Sequence, residues 1–387
     1  MIRLLTAQTR EADDGPAAAA EILAGLREAG PLSRYACGLV HCADSFVETG
    51  AMSAVCRALP FPTAGVNTIL HSSSLGTVDS TLLTVTVLTS PDVRMSAALS
   101  EPMDDEVAGP CEALYSEALR ALRDRPSAGI VFGPILPGFP SGEMICYELD
   151  AASGGMPLFG CLASDIDTGI RSPQVLFDGT AWPTRAALVL LGSSARPKFS
   201  VFPVSARKTL RGKAVVTDSE AHLVRQINGL PVLDFLESLG LCREGRLVST
   251  HMIPFFLERG GGRPPIVRAV MEQTADGAIL LGGKAPAGST LGIGAMDISH
   301  ILDCARRAAA QIRLSSPDAT ILYSCIARNI GLGLNYTMEI ETLRRDLAGC
   351  SPYVLAYSMG EICPLVFPDG KWRNEYHNMS LISMSLS

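Results

Sequence analysis

This 387-residue sequence predicts an α/β fold: repeated βαβ units on mixed parallel and antiparallel sheets with helices packed on them. The composition is 47% hydrophobic and only 18% charged, which calls for large, well-buried sheets. An order of apolar strand, helix, proline and apolar strand occurs three times. After each occurrence the chain turns to alternating strands, at 82–88, 186–191 and 377–387, which extend each parallel pair in the antiparallel sense.

The first unit opens after a helix that Asp13-Asp-Gly-Pro16 starts, with its acids at the favourable end. Tyr35-Ala-Cys-Gly-Leu-Val-His-Cys42 reads as a strand covered on both faces, 50–59 as the returning helix, and Pro60 and Pro62 precede the second strand. In the second unit, residues 127–132, 142–149 and 156–165 follow the same order. In the third, 319–325, 338–347 and 352–361 repeat it. Between the last two units, Asn228-Gly229 makes a turn and an amphipathic helix runs from Pro231 to Gly240. We place the domain boundary there, giving 1–228 and 229–387. Arg259-Gly-Gly-Gly-Arg263 is a surface loop, and two strands (279–283 and 288–294) lead to a helix over 298–312 that Asp297 caps.

A net charge of -7 without a basic stripe argues against nucleic acid or an anionic membrane as partner. The N-terminal residues lack a signal-peptide core, and no run approaches the roughly 18 apolar residues of a membrane span, so a cytoplasmic protein is expected. The eleven cysteines show no paired spacing and sit mostly in apolar runs, as reduced core thiols do. Cys37, His41 and Cys42 lie on one predicted strand, where neighbours face opposite sides, and no second ligand pair follows; zinc is set aside.

The most patterned stretch is residues 353–387, read as two apolar strands around a polar loop. Strand ends favour binding groups, and the third unit's ends should gather Cys325 and Arg328 beside Ser358, Gly360 and Glu361, with His377 and Asn378 delivered by the terminal strand. Arg328 could fork onto an anionic ligand, Gly360 admit it to the backbone and Asn378 orient it. Against this stands the plainer alternative that Arg328 and Glu361 pair with each other and that His377 and Asn378 only cap strands.

Asn228-Gly-Leu-Pro-Val-Leu-Asp234, Gly288-Ser-Thr-Leu291, Tyr323-Ser-Cys-Ile-Ala-Arg328, Ser358-Met-Gly-Glu-Ile-Cys-Pro364 and the terminal Tyr376-His-Asn-Met-Ser-Leu381 occur in an order that resembles the FIST family. Gly160-Cys-Leu-Ala-Ser-Asp165 is similar to that family's N-terminal glycine motif and adds Ser164 and Asp165 to the ligand-binding set. The resemblance implies a cytoplasmic sensory module that binds a small ligand and signals through a partner such as a histidine kinase. One branch resembles nitric-oxide-sensing haem proteins, so the ligand expected is either haem with nitric oxide or a small anionic metabolite. With the sensory region alone in this sequence, the signal is expected to leave through that partner.

For haem, His251, beside Met252-Ile-Pro-Phe-Phe256, has the most apolar surroundings of the six histidines and is the candidate axial ligand. The competing reading is a serine hydrolase: Ala356-Tyr-Ser-Met-Gly360 is one residue from a nucleophile elbow, and Asp369 and His377 follow Ser358 in hydrolase order. An elbow needs a helix straight after the serine, which Pro364 and the apolar residues after it deny. Gly292 and Gly294 hint at a dinucleotide fingerprint, but Asp297 stands where its third glycine belongs.

Overall fold

The structure, a computed structural model, describes residues 1–76, 78–104, 106–136, 141–164, 173–204, 214–248, 253–260, 263–294 and 296–387. The three βαβ units are present, with Tyr35–Cys42 parallel to Thr63–Asn67, Pro126–Gly133 to Leu158–Leu162, and Ala319–Cys325 to Tyr353–Ser358. Each belongs to a larger repeat of edge strand, long helix, parallel strand, crossover helix, parallel strand, hairpin and closing strand.

In unit I the edge strand is Arg3–Thr9, the long helix Gly15–Ala29, the hairpin His71–Ser73 with Val78–Asp79, and the closing strand Leu83–Ser90. Unit II uses Met95–Leu99, Ala108–Leu122, Val175–Phe177 with Thr180–Trp182, and Ala187–Gly192. Unit III uses Lys198–Pro203, Ile298–Ser315, Glu361–Val366 with Trp372–His377, and Ser380–Leu386. Asp14 and Asp297 cap their helices by accepting from Ala17 N and His300 N at 2.9 and 3.1 Å.

Each unit builds four strands of a six-stranded sheet, and the last two are borrowed. The hairpin of unit II completes sheet I through Leu176 opposite Gly65, that of unit III completes sheet II through Ile362 opposite Gly160, and that of unit I completes sheet III through Ser72 opposite Leu355. The closing strands lie inside their sheets, which is why they are buried on both faces. The three sheets share one apolar core, at whose centre the rings of His41, Phe132 and Tyr323, matching residues of the three units, stand 5.7 to 6.4 Å apart. The helices close separate outer layers.

The same exchange corrects the reading of residues 353–387, which form four strands rather than two. The chain leaves sheet III after Ser358, enters sheet II at Glu361, and returns at Ser380. Both crossings are sharp: the ring and hydroxyl of Tyr376 fill the space a Cβ on Gly360 would need, and Met379 takes φ 52°.

Between the edge strand and long helix of unit III, the described residues from 214 to 293 build a barrel. Ala214–Glu220 pairs with both Thr290–Ile293 and Leu223–Ile227, so the ring Ala214–Glu220, Thr290–Ile293, Pro254–Glu258, Ile266–Gln273, Ile279–Leu281, Leu223–Ile227 closes on itself around its own core. The Asn228–Gly229 turn, with φ 53° and 76°, lies within this barrel and leads into the helix Val232–Ser238.

Candidate functional site

The third unit does bring several expected residues together. Cys325 is in register with Ser358, whose hydroxyl donates to Glu361 Oε1 at 2.7 Å. His377 stands opposite Glu361 in the hairpin, with Nε2 3.0 Å from the Cys363 carbonyl oxygen. Ser164 donates to the Tyr357 carbonyl at 3.0 Å, sharing it with Thr68 at 2.8 Å. The buried carboxamide of Asn378 rests where Gly282 of the barrel leaves room for it. Asp165 and His251 lie outside the described residues.

Arg328 is not paired with Glu361. It lies on a short helix, Ile326–Leu332, that the sequence reading missed, and its guanidinium closes on Glu339 of the crossover helix Met338–Asp346 while also reaching Ser324 and the Ile301 carbonyl at 3.1 Å each. Ser324 and Tyr357 donate to the other Glu339 oxygen at 2.9 and 3.0 Å. Nε and one terminal nitrogen of Arg328 are thus engaged by the protein, while the other, Nη1, is buried without a hydrogen bond among the described residues. Gly360 accommodates Tyr376, not a ligand.

These side chains are sealed: Arg328, Ser358 and Glu361 are 0% exposed and His377 is 4% exposed. The sealing sets their protonation. Burial pushes the Glu361 carboxyl well above its ordinary range, and the Ser358 hydrogen bond and the Arg328 charge offset this only in part. Burial, then the nearby Glu361, raises the Cys325 thiol. Burial lowers His377 to about 4. Ser358, Glu361 and His377 form a buried, hydrogen-bonded junction where sheets II and III exchange strands.

The serine-hydrolase arrangement does not assemble. Ser358 bonds to Glu361 and His377 to Cys363, while Asp369 sits on the surface with Arg373 at 2.5 Å. A strand, not a helix, follows the serine.

An open pocket of about 610 Å³ lies elsewhere, between the barrel, the crossover helix Ser141–Ser153 of unit II and the hairpin of unit III. The barrel supplies Arg259, Arg263 and Lys284, the helix Glu143, Tyr147 and Asp150, and the hairpin Arg373 to Glu375. Its acids are engaged. Arg259 holds Glu375 with both terminal nitrogens at 2.9 and 3.0 Å. From the barrel, Arg268, itself 0% exposed, donates to Glu143 at 2.6 Å and to the Tyr376 carbonyl at 2.8 Å, and the Lys284 backbone N–H donates to the second Glu143 oxygen at 2.9 Å. Asp150 accepts from Asn374 at 2.6 Å. Two cations remain: Arg263 and Lys284 are exposed and form no salt bridge among the described residues, and the Lys284 ammonium stands 5.7 Å from the Tyr147 ring centroid.

The sequence reading gave 259–263 as a surface loop, but not that it meets the unit III hairpin. Arg259 and Glu375 are 116 positions apart, and only the borrowed hairpin brings them together. A haem would need an axial ligand facing an apolar cavity. This pocket is lined by charged side chains without histidine, cysteine or methionine, and the described residues contain no cluster of three His, Cys, Asp or Glu able to hold a metal ion. This charged pocket therefore does not fit haem, and the candidate axial ligand His251 lies outside the described residues.

Fold and pocket define a three-unit α/β protein with an inserted β-barrel and a charged cleft between barrel and body. The chain belongs to the FIST family: the FIST N domain model matches residues 36–230 and the FIST C domain model residues 233–364. FIST domains are a ligand-binding family of signal transduction. No curated protein matches the chain. Among solved structures it is similar to one described as cyanuic acid hydrolase from A. caulinodans, at 10% identity and a TM-score of 0.37 over 100% of this chain and 99% of that one, a likeness too distant to bear on function. No helix among the described residues is long and apolar enough to cross a membrane.

Proposed function

We propose that this protein is a cytoplasmic sensory module that takes a small anionic metabolite in the cleft between barrel and body and passes the signal to a partner such as a histidine kinase. The observation that carries this is the pair Arg263 and Lys284. In a chain of net charge -7, two exposed cations line a 610 Å³ pocket whose acids are already bound, so the pocket presents unspent positive charge. Tyr147 and Phe367 supply apolar wall for the ligand's body. The sealed Glu361 junction serves the fold, and the cleft serves the ligand.

Calorimetric titration with citrate and with inorganic phosphate tests the site. Binding by the parent chain that Lys284→Ala and Arg263→Ala each weaken several-fold supports it; affinities unchanged in both variants would overturn it.

A further inference from the structure

The barrel is fastened to the body by two buried ion pairs, Arg259 with Glu375 and Arg268 with Glu143, and both border the cleft. They differ in what surrounds them. Arg268 is packed against the Gly283 backbone, where a Cβ would come within 2.5 Å of its Nε, and its partner Glu143 is also held by the Lys284 backbone. Arg259 lines the pocket itself, and its fork is filled by one carboxylate, with only the Pro264 carbonyl 3.4 Å from Nη2 besides among the described residues. That carboxylate is on Glu375, two positions from Arg373 along one strand and hence on the same face; Arg373, a second pocket-lining guanidinium, holds Asp369 through one terminal nitrogen and forms no other hydrogen bond among the described residues.

A guanidinium fork recognises any carboxylate by the same two parallel hydrogen bonds, so Glu375 occupies the position a ligand's carboxylate would take. Resting on the reading of the cleft as an anion site, we propose that a carboxylate ligand binds by exchange: it takes the Arg259 fork, Glu375 moves to Arg373, and the barrel is released from the unit III hairpin at this pair while the Arg268 pair holds. The number of charge-assisted bonds on Arg259 is conserved, so the exchange is driven by the attraction of Lys284 and Arg263 for the incoming anion. The barrel's freedom then reports occupancy. Ligand identity is read at the fork, and the signal is a change in how the barrel sits on the strand Trp372–His377.

Citrate is the probe. Glu375→Gln keeps the side chain's shape but competes weakly for the fork, so citrate affinity should rise about tenfold, because the protein no longer has to be converted to its binding-competent form. Lys284→Ala should weaken citrate in the same assay. If Glu375→Gln leaves affinity unchanged or lowers it while Lys284→Ala weakens it, the anion site stands and the exchange is wrong. If neither Lys284→Ala nor Arg263→Ala alters citrate binding, the site and the exchange both fail. Should Glu375→Gln not fold, amide exchange in the parent chain decides: the strand Trp372–His377 must exchange faster with saturating citrate, and equal or slower exchange there overturns the proposal.

Discussion

Arg328 and Glu339 meet inside the third unit with neither side chain exposed to solvent at all. Glu339 collects, in addition, the hydroxyls of Ser324 and Tyr357, so four elements of unit III are tied through one carboxylate. Removing one partner strands the other as an uncompensated buried charge. Arg328→Ala and Glu339→Ala should each cost about 3 to 5 kcal/mol of stability, whereas replacing both by apolar residues of similar volume should cost far less. Urea unfolding of the two single variants and the double variant checks this, and two single variants as stable as the parent would contradict it.

Acid should unfold the protein through its histidines. Burial lowers His41 and His377 to about 4 and His71 to about 3, the last with a further contribution from His41. Between the unfolded value of about 6.5 and these folded values the unfolded chain binds more protons, so stability falls as pH falls, by about 1.4 kcal/mol per histidine per unit. Glu361 acts in the opposite sense. Its raised folded pKa keeps a proton that the unfolded chain loses above about 4.3, which removes stability as pH rises. From about 4.3 to 6.5 three histidines outweigh one glutamate, so stability should rise with pH across that window. Chemical denaturation at pH 5, 5.5 and 6 should show that rise, and Glu361→Gln should steepen it just above about 4.3. A rise of the same slope in that variant would reject the raised glutamate.

Ser358→Ala should behave as a stability variant. It removes the donor to Glu361 Oε1, a loss of about 1 to 3 kcal/mol for a buried acceptor, and leaves citrate binding intact because the cleft is built from other segments. The parent chain should not hydrolyse simple aryl esters. Turnover that disappears in Ser358→Ala would restore the hydrolase reading.

Gly65 and Gly160 hold the same place in units I and II, and a Cβ on them would lie 1.8 and 2.0 Å from the carbonyl oxygens of Val40 and Val131. No side-chain adjustment relieves a clash with backbone, so Gly65→Ala and Gly160→Ala should each cost about 3 kcal/mol or more and lower soluble yield. Thermal unfolding within a degree or two of the parent's would show that the parallel strands can separate there.

The units themselves were legible because their inner strands are buried on both faces and read as unbroken apolar runs, such as 35–42 and 319–325, and because Asp14 and Asp297 announce helix starts. Hairpin exchange was not legible. Which sheet a strand joins depends on partners such as Gly160 for Ile362, far away in the chain, and nothing in 353–366 marks the crossing except Gly360. The partner of Arg328 was missed for a related reason: Glu339 sits on a helix one turn from a loop, while attention to strand ends favoured Glu361. Of the cleft only the surface loop from Arg259 to Arg263 was legible; its meeting with Arg373 and Glu375 requires the borrowed hairpin and the barrel together.

The exchange of hairpins also imposes a timetable on synthesis. Unit II makes its hairpin after sheet I has been translated, and unit III makes its own after sheet II, so both meet a waiting partner. Unit I alone is early: its hairpin needs Tyr353–Ser358, which at roughly 5 to 20 residues per second emerges on the order of tens of seconds later. The strand that must wait is His71-Ser-Ser73, while those received at once are Val175-Leu-Phe177 and the apolar run from Glu361. A nascent chain that leaves only its most polar edge unpaired offers little for a neighbour on the same messenger to pair with.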